Sequence, residues 1–444
     1  MERPRLYNGG VFTTAASYRG GVSRLKFICI HPRFASLSSH HFNESYGFKQ
    51  EFGRRGKEFL LLINIHASPQ IAAELRARAV LEDPTFRLEW SFQERSRRFL
   101  NMLHSHVDAD LNADDCVMLT VATQLEAHAL IRWLQELPHD KKPWIVILFL
   151  SDRWNRSGRE EYMRQAAEFR ILNAEIASLA AEDAHRLIFC TLTDLLAEEL
   201  GELLGTKVDI APTPLPYVEP EIDGSTKTKN HPRLSFLMHF FGAFRGFRSE
   251  PNPRLPRVAV LGGMRREKGS YLVPDIVRAC RSYVPVEFLI HLENNDLSHE
   301  EAERLARVAE EQHVIVIPGQ MSMPAYHAAL KSADLALFAY EIIPYYKRTS
   351  GVFVEAVAYG KPVVATRGTW MARQIQAGRA AGTISEDLRP DSVAQAIARC
   401  VRDLEPLRQS ALTKSVEWRK TTSVPAFVDF VEEQIARRSG GRAV

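Results

Sequence analysis

The sequence predicts an α/β protein made of two doubly wound domains of similar size. Three observations carry that reading. Short β-branched and aliphatic runs alternate with longer amphipathic segments nearly from end to end, the pattern of parallel sheets covered by helices on both faces. The 444 residues leave room for two or three domains at about 150 residues each. Near the middle, Pro212, Pro214, Pro216, Pro220, Pro232, Pro251, Pro253 and Pro256 crowd one stretch. That density of proline breaks both helix and strand, as an interdomain connection should.

In the first half the predicted strands are Lys26–Ile30, Phe59–Asn64, Cys116–Ala122, Trp144–Leu150 and Leu187–Cys190. Helical patterns lie between them, including Gln124–Leu137 and Arg159–Ala181. In the second half the strands are Val258–Leu261, Val286–His291, Val314–Ile317, Leu335–Phe338 and Pro362–Ala365. Helices at Leu272–Ser282, His299–Gln312, Pro324–Ser332 and Gly351–Tyr359 separate them. The end of the chain reads as helix with breaks at Pro406 and Pro425, and the tail RRSGGRAV as frayed.

Composition narrows the function class. With 57 Lys and Arg against 54 Asp and Glu, the net charge is +3, too small for a dedicated nucleic-acid binder. Hydrophobic residues at 45% and charged residues at 25% suit a folded chain and exclude disorder throughout. Five scattered cysteines, Cys29, Cys116, Cys190, Cys280 and Cys400, have neither disulfide nor zinc spacing and read as reduced, cytoplasmic thiols. The first 20 residues contain no apolar signal segment, and no stretch reaches the roughly 18 apolar residues of a spanning helix. One segment is unusual. Arg233–Arg248 carries five Phe and three Arg without an acid, with Phe236, Phe240, Phe244 and Phe247 on one helical face. It reads either as a helix packed on a domain or as a basic, aromatic helix lying in a membrane surface.

Two motifs carry chemistry. In Val258–Gly269, VAVLGGMRREKG, a strand runs into two glycines and a basic cluster, and a helix starts near Tyr271. Helix N-terminal amides and close backbone approach at glycine both favour phosphate. In Pro344–Trp370, the turn Arg348-Thr349-Ser350-Gly351 opens a helix, with Glu355 one turn inside it. Amides at 349–352 would face an anion, and Glu355 shares the face of Gly351 and Val352 by the i, i+3, i+4 rule. A carboxylate there is placed to accept hydrogen bonds from ribose hydroxyls. Together the motifs point to a nucleoside diphosphate.

Over Val258–Leu404 the chain resembles the donor domain of GT-B glycosyltransferases. The likeness is to the large retaining family of sucrose synthases, sucrose-phosphate synthases and bacterial mannosyltransferases (family 4-like, glycosyl transferases group 1). Glu267-Lys268-Gly269 matches that family's loop, and Glu355-Ala356-Val357-Ala358-Tyr359-Gly360-Lys361-Pro362-Val363-Val364 matches its later motif. The resemblance implies two Rossmann-like domains facing each other across a cleft, and Lys268 as a donor-phosphate ligand. The family's arginine falls on Gly263, so Arg265 or Arg266 supplies that charge. The family's first glutamate, which touches the transferred sugar, falls on Lys347. The resemblance divides the chain into an acceptor domain, 1–215, a linker, 216–256, and a donor domain, 257–415. At 416–444 a helix within Trp418–Ile435 crosses back to the first domain.

The expectation is a cytoplasmic hexosyltransferase, retaining, at the inner face of a membrane if 233–248 binds it. It would move sugar from a nucleoside-diphosphate-sugar to a saccharide, lipid-linked or small-molecule acceptor, in bacterial polysaccharide or glycolipid synthesis. The donor site would comprise Arg265, Arg266, Lys268, Thr349, Ser350, Gly351 and Glu355, with Lys347 in the catalytic acid's place. No metal, other cofactor or nucleic acid is expected. The alternatives are a nucleotide-sugar-binding protein without catalysis, or a GT-B epimerase or phosphorylase. In the first half, His31, Arg33, Ser38, Ser39, His40, His41, His66, Ser151, Asp152 and Arg153 fall in loops after strands. Such loops line the ligand clefts of α/β sheets. Asp152 is the first choice for a base.

Overall fold

The computed structural model describes residues 25–35, 40–84, 87, 89–150, 159–215, 254–293 and 297–440. The aromatic segment 233–248, Ser38, Ser39 and Ser151–Arg153, with Asp152 among them, lie outside the described residues.

The first sheet and its helices run β1 (Lys26–His31), α1 (His40–Arg54), β2 (Glu58–Asn64), α2 (Pro69–Leu75), β3 (Arg78–Leu81) and α3 (Phe92–His106). They continue through β4 (Cys116–Ala122), α4 (Gln124–Glu136), β5 (Trp144–Phe149), α5 (Arg159–Ala180), β6 (Leu187–Thr191), α6 (Asp194–Leu204) and β7 (Asp209–Ile210). The second begins with β8 (Arg257–Val260), α7 (Val273–Cys280), β9 (Glu287–Leu292), α8 (His299–Ala306), β10 (Val314–Pro318) and α9 (Met323–Ser332). Then come β11 (Leu335–Phe338), α10 (Ile342–Tyr345), α11 (Gly351–Ala358), β12 (Val363–Thr366), α12 (Trp370–Gln376), β13 (Gly382–Ser385) and α13 (Pro390–Arg402). Helices α14 (Leu404–Thr421) and α15 (Val424–Arg438) end the described chain.

Both sheets are wholly parallel. Their orders are β3-β2-β1-β4-β5-β6-β7 and β10-β9-β8-β11-β12-β13. Strands covered on two faces need continuous apolar runs, and every residue of β4 and β5 is buried. In each sheet the chain works outward in one direction and then returns to the other side of its first strand. That reversal opens a crevice at the carboxyl ends of β1 and β4, and another at those of β8 and β11.

Three expectations need correction. His31 belongs to β1 and His40-His41 opens α1, instead of lying in loops. Trp418–Ile435 is two helices, because Ser423 starts a new one, its hydroxyl accepting from the Ala426 amide at 3.3 Å. Pro425 sits in the first turn of α15, where its missing N–H costs nothing. Arg437 and Arg438 belong to α15, and Arg438 donates to the Leu187 carbonyl at 2.6 Å.

The chain closes back on itself through these two helices. Trp418 of α14 donates to the Val354 carbonyl of α11 at 3.1 Å. Helix α15 buries Val424, Phe427, Val428, Val431 and Ile435 in the first sheet's core beside Phe48 and Phe52, with Phe427 and Phe48 ring centres 5.6 Å apart. Arg55 ion-pairs with Asp429 and Glu432 at the margin. Among the described residues, no helix is long and apolar enough to cross a membrane, and all five cysteines are free and buried. Phe427→Ala should cost about 3–5 kcal/mol, the range for truncating a buried Phe. A fall in the urea midpoint reads it; an unchanged midpoint would show that α15 adds nothing to this core.

Candidate functional site

The crevice of the second sheet is shaped first by glycine. After β8 the chain passes Gly262 at φ +90°, where a Cβ would come within 2.9 Å of Val352 Cγ2 and 3.3 Å of Lys268 Nζ. A short 3-10 turn, Arg266–Lys268, closes at Gly269 with φ +66°. A Cβ at Gly269 would overlap the Ala339 carbonyl oxygen. With glycine at both places the loop lies against β11 and α11, and Lys268 stands at the first turn of α11. Its ammonium is 5.9 Å from the centre of the Tyr340 ring.

Helix α11 offers its positive end there. Buried Ser350 caps it, the hydroxyl accepting from the Phe353 amide at 3.4 Å while the Ser350 carbonyl accepts from Val354. The amides of Gly351 and Val352 remain outside the helix's own hydrogen bonds, and Gly351 is exposed with open space about its Cα. Thr349 is half-buried just before the cap.

Glu355 follows one turn later. Its Oε2 accepts from the Tyr326 hydroxyl of α9 at 2.5 Å. Burial lifts its carboxyl to about 7, against the Tyr326 hydrogen bond and the Lys268 charge, which both favour the carboxylate. The group is poised between its two forms near neutral pH. Tyr326, buried and unsuspected from sequence, is what orients it; the only trace in the sequence is a Tyr one turn into a helix that follows a strand.

The arginines divide. Glu267 collects Tyr345 hydroxyl at 3.3 Å, Arg348 Nη1 at 3.2 Å and Arg265 Nη1 at 3.8 Å. Arg348 and Arg265 thus line the site through one carboxylate. Arg266 instead pairs with Glu301 of α8 and lies 4.5 Å from the Tyr271 ring centre. Of the expected donor residues, the structure therefore assembles Lys268, Gly351 and Glu355, spends the Ser350 hydroxyl on the cap, and directs Arg266 elsewhere.

Lys347 reaches the other sheet. Its ammonium pairs with Glu199 of α6, and its carbonyl accepts from the Thr193 hydroxyl at 2.6 Å. On the first sheet, Arg33 is held by the buried Glu126 at 3.0 Å and by the Val121 carbonyl, while His66 is exposed. His31 is buried at the end of β1 with Thr120 Oγ1 at 2.9 Å, and the His41 ring lies 5.3 Å from it. No group of three or more His, Cys, Asp or Glu is placed to hold a metal ion among the described residues.

The Lys347–Glu199 pair should behave as a clasp. Lys347→Glu and Glu199→Lys should each lower the melting temperature, and the double swap should recover most of the loss. Charges in contact couple by about 0.5–3 kcal/mol in such cycles; additive losses would show that the pair is idle.

Residues 255–403 match the family model described as glycosyl transferases group 1. A search of curated proteins finds no match. Among solved structures, a glycosyltransferase from Rickettsia africae is similar at TM-score 0.63 and 11% identity, over 95% of this chain and 100% of that one. Anabaena HepE in complex with UDP gives 0.59 and 13%, over 93% and 100%. UDP-GlcNAc 2-epimerase from Neisseria meningitidis, bound to UDP-GlcNAc, gives 0.51 and 12%, over 93% and 100%. The fold is the two-domain, Rossmann-like GT-B arrangement.

Proposed function

We propose that the protein is a glycosyltransferase that takes its sugar from a nucleoside-diphosphate-sugar bound at the crevice of the second sheet. The observation that carries this is the convergence of Lys268, the first turn of α11 and Glu355. The diphosphate would lie between the Lys268 ammonium and the amides of Gly351 and Val352. The ribose hydroxyls would donate to the Glu355 oxygen not taken by Tyr326. Departure of the diphosphate is then helped by charges already in place, the most effective form of electrostatic catalysis. The family match over 255–403 supports sugar transfer, and UDP, which the Anabaena protein binds, is the first ligand to try. The acceptor, a saccharide, lipid-linked or small molecule, would enter from the first sheet's side.

Lys268→Ala removes a charge-assisted contact worth ~1.5–3 kcal/mol, roughly a 10- to 150-fold loss. That loss should fall on UDP and spare uridine. Glu355→Gln should weaken both. Calorimetric titration decides it, and equal losses on both ligands in both variants would remove the assignment.

A pH effect arises from the same carboxyl. Its pKa in the folded protein, about 7, lies above its ordinary 4.5, so the empty folded state holds the proton longer than the unfolded chain. Its contribution to stability is present below pH 4.5 and declines as pH rises through 7. Relative to Glu355→Gln, the empty protein should therefore lose urea resistance between pH 5 and 7. Ribose hydroxyls that donate to the carboxylate reverse the preference, so UDP should bind more tightly at pH 8 than at pH 6. Parallel pH curves for wild type and Glu355→Gln would contradict both statements.

A further inference from the structure

Between β11 and α11 the chain places two tyrosines where packing alone would accept phenylalanine. Tyr340 follows Ala339, whose carbonyl lies against Gly269, and Tyr345 ends α10. Both are deeply buried, at 4% and 3% exposure, and their ring centres are 4.5 Å apart. Each is engaged twice, once by each of the two motifs that form the crevice.

Tyr340 meets the glycine loop with its ring, 5.9 Å from Lys268 Nζ to the centre. It meets the turn before α11 with its hydroxyl, whose oxygen accepts from the Ser350 hydroxyl at 3.4 Å. Tyr345 repeats the pattern in reverse. Its hydroxyl donates to Glu267 of the loop at 3.3 Å, and its ring centre lies 5.2 Å from the Arg348 guanidinium of the turn. Arg348 itself reaches Glu267 at 3.2 Å. Two side chains of one short segment thus join the loop that carries Lys268 to the turn that delivers the α11 amides.

The contacts have directional consequences. A cation is drawn to the face of an aromatic ring within about 6 Å, more strongly where water is excluded. The Tyr340 ring therefore limits where the long, flexible Lys268 side chain stands. The Ser350 hydroxyl has one hydrogen, and giving it to Tyr340 leaves its lone pairs for the Phe353 amide that it caps. Burial pushes the Tyr340 hydroxyl up to about 12, so the side chain stays neutral through the ordinary pH range.

We propose that Tyr340 and Tyr345 are the positioning residues of the donor-phosphate site, setting the spacing between the Lys268 ammonium and the α11 amides; this rests on the transferase reading above. They act through the loop and the turn, without contact to the nucleotide. The cation and the helix start are held ready before the ligand arrives, so the diphosphate binds without the cost of ordering them.

The test titrates UDP and uridine calorimetrically into full-chain variants, with melting curves alongside. Tyr340→Leu should weaken UDP roughly 2- to 30-fold, the span of a cation–π contact, and leave uridine within about twofold. Tyr340→Phe, which keeps the ring, should recover the larger part of that loss. Tyr345→Phe loses only the hydroxyl bond to Glu267 and should weaken UDP roughly 2- to 12-fold. In a Lys268→Ala background the gap between Tyr340→Phe and Tyr340→Leu should close, because the ring acts through that ammonium. A gap that persists there would overturn the proposal, as would equal losses on UDP and uridine in these variants. UDP affinity unchanged in both Tyr340→Leu and Tyr345→Phe would overturn it as well. Should Tyr340→Leu fail to fold, Tyr345→Phe decides on the same two ligands: a loss confined to UDP supports the proposal, and an equal loss removes it. Wild type that binds neither UDP nor GDP would take down the donor reading together with it.

Discussion

The second sheet's crevice depends on the missing side chain of Gly269. Its Cα lies so close to the Ala339 carbonyl that any Cβ would overlap the oxygen. With φ at +66°, an L-residue would be strained even without that contact. The loop is thereby pressed onto the end of β11, and the position of Lys268, one residue earlier, is set by the same approach. Gly262 makes the second such contact, against Val352 and the Lys268 ammonium. A side chain at either place would push the loop outward and part the cation from α11. Helix and loop come from segments far apart in sequence, and only parallel topology brings them to one edge.

The two sheets are held together at several independent points. Helix α15 is a covalent return onto the first sheet, packed by Phe427 and pinned by Arg438. Lys347 and Thr193 join the turn before α11 to the start of α6, and Asn43 meets Met323. The turn that delivers the α11 amides is thus tied to the opposite sheet by the residue immediately before Arg348. A cation at 347 makes physical sense in that setting, because its partner is a carboxylate across the cleft. An acid at the same place would face Glu199 and repel it.

How much of this could be read from the chain depends on the range of each interaction. Strands such as β4 and β5 announce themselves as continuous apolar runs because both faces are covered. Three of the four edge strands do not: β3 is RAVL, β7 only Asp209–Ile210, and β13 is GTIS with three of its residues partly exposed. Helix α1 was hidden because His40, His41, Asn43 and Gly47 break any apolar period before Phe48 and Phe52. At the site, Lys268 and Glu355 were legible because each sits beside glycines in a local motif. Tyr326 and Glu199 were not, since their meaning lies in partners 29 and 148 residues away, Glu355 and Lys347.

These partners explain how a crevice so rich in acids can receive an anion. Glu267 is matched by Arg265 and Arg348, and Glu199 by Lys347. Glu355 and Glu44 lack such full ion pairing, and burial instead raises both toward the neutral form. Every one of the four is thus silenced, two by cations and two by desolvation. The empty site consequently presents Lys268 and the α11 amides with little opposing charge. Neutrality by burial differs from neutrality by pairing in one respect that matters for chemistry. A paired carboxylate stays ionised whatever arrives. A buried one, held toward its protonated form, can give up its proton when a ligand's hydroxyls stabilise the charge. Glu355, at the second sheet's crevice, is a carboxyl of that kind.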